Sequence, residues 1–253
     1  GETRQELQRL KKKLAQVEGN RPCFVSPAMA FLADLAEKYH ADPSLPVLIE
    51  GETGTGKEVL ARLIHYGSQG DGGGPFVAVN CAALTPALFE SELFGYEAGA
   101  FTGSSVKGSK GKVDAAAGGT LFLDEVAELP TEHQAKLLRL LQEREYYRVG
   151  GLKRLTSDVR VICATNARIK ERVESGQFRQ DFYYRLQLGH LYIPPLRQRR
   201  EDILPLSLTF LQESVRQRGK RFQGFSAEAA AWLAGREWPG NVRELRNAIE
   251  WVV

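Results

Sequence analysis

The chain has 253 residues, 43% of them hydrophobic, enough for a sizeable core in one large domain or a domain with a small satellite, which excludes a disordered tail or a disulfide-stapled miniprotein. Thirty-four Lys and Arg against 31 Asp and Glu leave a formal charge of +3, too little by itself to indicate a nucleic-acid or membrane partner. The three cysteines, Cys23, Cys81 and Cys163, have neither CxxC spacing nor a nearby His cluster, so they are expected to be buried small apolar residues in a reducing cytoplasm, not a disulfide framework or zinc site.

Residues 1–19 read as a linker helix. Leu7, Leu10, Leu14 and Val17 follow the a/d spacing of a short coiled coil, with a surface helix packed on its own domain as the alternative. The opening segment is charged where a secretory leader is apolar, and no apolar run approaches the roughly 20 residues that span a bilayer, so no membrane association is expected. Asn20, Arg21 and Pro22 break the first helix, and a second is predicted over about Ala28 to Tyr39. The chain then alternates as βαβ units do: a strand over 46–50, a glycine turn, a helix over about Lys57 to Tyr66, and further strands over 75–80, 120–125 and 158–166. Continuous apolar runs of this kind suit strands covered on both faces of a parallel sheet. After Pro194 and Pro195 only helices are expected, near Glu201 to Arg216, Ser226 to Ala234 and from Asn241 onward. The fold class is therefore α/β, a parallel sheet sandwiched by helices over residues 20–192, followed by a small all-helical lid over 193–253.

The glycine turn carries a phosphate-binding pattern. Gly51, Glu52, Thr53, Gly54, Thr55, Gly56 and Lys57 lie between a predicted strand and a predicted helix, where backbone N–H groups and a helix N-terminus can face phosphate oxygens and Lys57 can reach the β and γ phosphates. Glu58 stands where the general motif has Ser or Thr, so a magnesium-binding hydroxyl is missing and Mg²⁺ must lean on the nucleotide, water and another carboxylate. Asp124 and Glu125, ending the 120–125 strand, offer that carboxylate and a group to activate water. Asn166 closes the 158–166 strand, in place to sense the γ phosphate or orient water.

Taken together these residues resemble the AAA+ P-loop ATPase domain of bacterial enhancer-binding proteins, the activators of sigma-54 RNA polymerase. The resemblance runs from about Cys23 to Val253 through GETGTGKE (51–58), VNCAAL (79–84), ESELFGYEAGAFTGS (90–104), GGTLFLDE (118–125), RVGG (148–151), CATN (163–166), FRQDFYYRL (178–186), PPLRQRREDI (194–203) and WPGNVREL (238–245). It implies that residues 51–58 bind ATP, that Asp124 and Glu125 form the Walker B pair with Asp124 toward Mg²⁺, and that Asn166 is sensor I. It further implies that Asn80 is a switch restraining the catalytic glutamate, that Arg179 and Arg185 are arginine fingers acting on a neighbouring subunit of a hexamer or heptamer, and that Arg243 is sensor II. Gly99, Ala100, Phe101, Thr102, Gly103 and Ser104 match the loop that touches sigma-54, with Ser104 where the family usually has Ala; a second loop around Tyr146 to Arg154 would support it.

The resemblance thus implies a cytoplasmic bacterial ATPase whose ring remodels the closed promoter complex of the sigma-54 holoenzyme. The alternatives are a nucleotide-responsive regulator that oligomerises without remodelling sigma-54, and another AAA+ machine of the chelatase type, which the 99–104 loop disfavours. The basic clusters Lys11 to Lys13, Arg197 to Arg200 and Arg216 to Arg221 lack interleaved aromatics and read as solvated helix faces. DNA binding is therefore expected only through a C-terminal helix-turn-helix module absent from this chain.

Overall fold

Seven strands form among the residues described by the computed structural model, which are 25–68, 70, 73–83, 85–100, 107–219 and 224–253. In chain order they are β1 (Val47–Glu50), β2 (Phe76–Asn80), β3 (Thr120–Asp124), β4 (Glu145–Tyr146), β5 (Leu155–Thr156), β6 (Arg160–Thr165) and β7 (Gly189–Tyr192). Five of them make one parallel sheet in the order β2-β3-β6-β1-β7, and β4 and β5 pair as an antiparallel hairpin. The expected linker helix, Cys23, and Phe101, Thr102, Gly103 and Ser104 lie outside the described residues.

The apolar runs are buried on both faces, as their composition requires. Leu48, Leu121, Leu123, Val161 and Cys163 face one cluster, while the intervening Val47, Ile49, Phe122, Ile162 and Ala164 face another. The second face is covered by α1 (Pro27–His40) and α2 (Lys57–Tyr66), through Met29, Leu32, Ala36, Leu60, Ala61 and Ile64. The first is covered by α3 (Pro86–Phe94), α4 (Lys112–Ala115), α5 (Thr131–Glu143), α6 (Ile169–Glu174) and α7 (Gln180–Leu186). Both sequence-expected helices in this part end within a residue or two of their predicted limits. Ser26 caps α1 through Met29 N, and Pro27 occupies the first helical position, where a missing N–H costs nothing.

Beyond β7 the chain is helical, as expected: α8 (Ile203–Arg218), α9 (Ala227–Gly235) and α10 (Asn241–Val252). They share a separate apolar cluster that includes Leu196, Phe210, Leu233, Trp238, Leu245 and Ile249. Trp238 is fully covered and its indole N–H donates to Leu233 O, so the ring adds packing without an orphaned donor.

One expectation is overturned. The Arg197 to Arg200 cluster is not a solvated face: Arg199 is 2% exposed, Arg197 pairs with Glu52 and Arg200 with Glu237. Arg216 and Arg218, by contrast, are exposed on α8. Cys81 and Cys163 are buried free thiols, as predicted. No helix among the described residues is long and apolar enough to cross a membrane.

Candidate nucleotide site

The sheet order fixes where the site forms. β1 lies next to β6 and β6 next to β3, with Glu50 opposite Thr165 and Leu123 opposite Cys163, so the carboxyl ends of the three strands open on one edge. That edge is where open parallel sheets bind ligands.

From β1 the chain enters the glycine turn. Gly54 and Gly56 sit at φ +79° and +104°, the left-handed region that disfavours side chains. A Cβ on Gly56 would meet nothing within 4 Å, so the turn leaves an open cradle, whereas one on Gly54 would overlap the Gly240 carbonyl. Gly56 starts α2 with no side-chain cap, leaving the first amides of the helix to be satisfied from outside. Lys57 is only 7% exposed, and its Nζ donates to Gly51 O at 2.9 Å and Glu52 O at 3.4 Å. Burial pulls this ammonium below its ordinary pKa while the Glu125 and Asp124 carboxylates oppose the shift. Two carbonyls leave one of its three protons uncommitted, and the cradle beside it is lined by amides. A phosphate supplies both the acceptor and the countercharge, so the residues present fit a nucleotide triphosphate. Glu58 is turned away, exposed on α2 and paired with Arg62 at 2.7 Å.

The strand ends are stitched together at their tips. Glu125 adopts a left-handed conformation, φ 54°, uncommon for a residue with a side chain, and its N–H donates to Asp124 Oδ1 at 3.0 Å. Its Oε2 accepts from the Asn166 backbone N–H at 3.1 Å, and the Asn166 amide donates to Thr53 Oγ1 at 3.1 Å. The glycine turn, the acidic pair and Asn166 are thus one bonded unit. Asn80 stands opposite Asp124 in the sheet, but its Oδ1 accepts from Ala82 N at 2.9 Å, a local turn, and the structure does not bond it to Glu125. No group of three or more His, Cys, Asp or Glu among the described residues could hold a metal. A cation here would rest on Asp124, water and the phosphates themselves.

Helical residues clasp the same turn. Glu52 takes both guanidinium nitrogens of Arg197 at 2.6 and 2.8 Å and also accepts from Asn241 Nδ2, and these bonds hold its carboxyl below the usual range. Asn241, buried at the start of α10, donates to Thr53 O and accepts from Leu196 N at 2.7 Å. Arg199 donates to Thr55 O at 2.8 Å, and its neighbour Asp202, 0% exposed, accepts from Val25 N, Ser26 N and Ser26 Oγ. Arg243 N donates to Gly54 O, and among the described residues its exposed guanidinium forms no hydrogen bond or ion pair.

Arg179 and Arg185 sit at the two ends of α7 and bond to nothing in the glycine turn. Arg179 lies on Asp181 at 2.7 and 3.0 Å, and Arg185 donates to Leu141 O at 3.3 Å with its Nε unpartnered. Gly99 and Ala100 are the only described residues of the 99–104 loop. Ahead of it, Tyr96 bridges to Ser109 and to Val149 of the β4–β5 connection.

Residues 23–192 match the family described as sigma-54 interaction domain, and residues 197–253 match the AAA+ ATPase lid domain. The chain belongs to the sigma-54 interaction domain family. The Nif-specific regulatory protein of Herbaspirillum seropedicae is 46% identical over 251 residues, 98% of this chain and 46% of that protein. Regulatory protein AtoC of Escherichia coli K12 is 48% identical over 225 residues, 89% of this chain and 48% of that protein. Among solved structures, NtrX of Brucella abortus in complex with ADP aligns with a TM-score of 0.82 at 37% identity, covering 97% of this chain and 52% of that one. The chain spans about half the length of these relatives.

Within this sigma-54 interaction domain the structure brings Thr53, Lys57, Asp124, Glu125 and Asn166 together and places the Arg243 backbone on the turn. It leaves Glu58 facing away and keeps Asn80 on a local bond. Sequence reasoning did not find Arg197, Arg199 and Asn241 as holders of the turn. Their signal was available only as motif membership, because each partner is remote in sequence.

Proposed function

We propose that this chain is the ATP-driven motor of a sigma-54 activator: residues 20–192 form the nucleotide-binding unit, 193–253 the lid, and an oligomeric ring couples ATP hydrolysis to remodelling of sigma-54 polymerase through residues 99–104. The observation that carries the reading is the bonded unit of Thr53, Asn166 and Glu125 beside the buried Lys57 ammonium. A scaffold has no use for a carboxylate held in strained backbone next to a phosphate cradle.

Lys57 and the amides of residues 51–57 bind the β and γ phosphates, and Arg243, whose guanidinium has no partner among the described residues, closes on them from the lid. Asp124, with the phosphates and water, would hold Mg²⁺, which neutralises phosphate charge when bound. Because Oε2 of Glu125 is taken by Asn166 N–H, Oε1 is the atom left to accept a proton from the attacking water. Arg179 and Arg185, which do not reach the turn of their own protomer, stabilise the transition state in a neighbour's site. Specific ATPase activity is then expected to rise at least about a thousandfold as protomers are concentrated into rings. A dilute monomer with full activity, measured across a concentration series with sedimentation in parallel, would contradict the trans assignment.

The decisive experiment mixes the purified chain with sigma-54, ADP and aluminium fluoride and looks for a trapped complex on a native gel, with Thr102→Ala as control. A complex that needs both the fluoride and Thr102 is the expected result. Rings that hydrolyse ATP and trap nothing would point instead to a regulator that oligomerises without remodelling sigma-54.

A further inference from the structure

Gln134, on the first turn of α5, is a fully buried polar side chain that joins three separate stretches of chain. Its Nε2 donates to Leu129 O at 2.7 Å and to Gln177 O at 3.1 Å, and its Oε1 accepts from Arg179 N at 2.8 Å. Both amide protons and the carbonyl are committed. Leu129 ends the 3-10 turn 126–128 that leaves Glu125, and that turn is itself bonded back, Glu128 N to Glu125 O at 3.0 Å. Arg179 is the N-cap of α7. Hydrogen bonds and the short backbone turn between them therefore link Glu125 to the helix end that carries the first finger.

Arg172 on α6 doubles the link. Its guanidinium donates to Ala127 O at 3.0 Å and Glu128 Oε1 at 2.7 Å, while its carbonyl accepts from Gln177 N and Phe178 N. The turn after Glu125 and the segment 177–179 are thus held at two points about the same axis. Moving one without the other would leave buried donors and acceptors unpaired.

We propose that Gln134, seconded by Arg172, is a positioning residue that sets the Arg179 finger according to the state of the same protomer's nucleotide pocket, so that each subunit's finger reports its own site to its neighbour. The inference rests on the trans-finger reading above. In the isolated protomer the Arg179 guanidinium is parked on Asp181 and exposed, and the element under control is its backbone, where Gln134 holds it. A purely structural glutamine would support both faces of the protomer alike; a finger-positioning one acts only where a finger is used.

That asymmetry is the test. Arg179→Ala protomers keep a hydrolytic pocket and lose a finger, whereas Glu125→Gln protomers keep a finger and lose hydrolysis in their own pocket. Each alone is expected to be inactive, and a one-to-one mixture to regain ATPase activity at the interfaces that pair them. If the parent mixture regains nothing, the trans-finger reading falls, and the latch falls with it. Given rescue, Gln134→Leu placed in the Glu125→Gln protomer is expected to cut it at least about tenfold, and the same substitution in the Arg179→Ala protomer to leave it within about twofold. Equal loss in both arms, or none in either, overturns the proposal. Should Gln134→Leu fail to fold, Arg172→Met, on a less buried side chain, is read in the same two arms for the same asymmetry at about threefold.

Discussion

Glu125→Gln is expected to bind ATP with near-parental affinity and to hydrolyse it at least about a hundredfold more slowly, the usual worth of a positioned general base. The substitution preserves volume, and an amide oxygen still accepts from the Asn166 N–H that Oε2 accepts now, so the bonded tips of β3 and β6 stay in place. What disappears is proton affinity at the free oxygen. Lys57 loses one of the two carboxylates that support its charge but keeps Asp124, so the phosphate cradle stays intact. Single-turnover hydrolysis beside equilibrium binding of a fluorescent ATP analogue separates the two effects. Undiminished turnover would remove Glu125 from the mechanism.

The second large effect concerns stability. Arg199→Met is expected to cost about 3 kcal/mol, because it leaves the fully buried Asp202 without its cation and the Thr55 and Pro194 carbonyls without their donor. Asp202 retains three donors from Val25 and Ser26, which keeps the cost toward the lower end of what a broken buried pair exacts. For a chain of this length that is a fall in Tm of about 10 °C. Arg200→Met is the natural control, since its partner Glu237 and its own side chain are half exposed and such pairs contribute at most about 1 kcal/mol. Chemical denaturation of the two variants should separate them clearly; equal, small losses would show that the buried pair holds nothing. The same Arg199 variant should bind ATP more weakly, because it removes the bond that ties Thr55 O of the turn to Arg199.

Much of the architecture was legible where the signal is local. The runs at 46–50, 120–125 and 158–166 carry the apolar stretches 47–49, 121–123 and 161–164, which suit doubly covered strands, and all three pair as expected. β7 was not foreseen: it is four residues long, and His190 and Tyr192 alternate with Gly189 and Leu191, so it reads as loop until its hydrogen bonds to β1 are known. The phosphate turn, Asp124, Glu125 and Asn166 were legible because their chemistry depends on close spacing and strand ends. The clasp of Arg197 on Glu52 and the roles of Arg199 and Gln134 were not, because their partners lie 145, 144 and 45 residues away. A run of arginines and a glutamine in the first turn of a helix look solvated in one dimension. Only the fold brings backbone carbonyls against them.

The strand order also shapes how the chain acquires its structure. β1, which delivers the glycine turn, has as neighbours β6 and β7, so Glu50 waits for Thr165 and Val47 for Gly189. At ribosomal rates the nascent strand stays open on both edges for on the order of ten seconds, until β6 and then β7 emerge, although α1 and α2 are already available to cover one of its faces. Of the segments that build the nucleotide site, the phosphate turn is the first synthesised, yet its strand is paired only once β6 and β7 have followed. Nucleotide therefore cannot template the early steps of folding, and the finished sheet must form first.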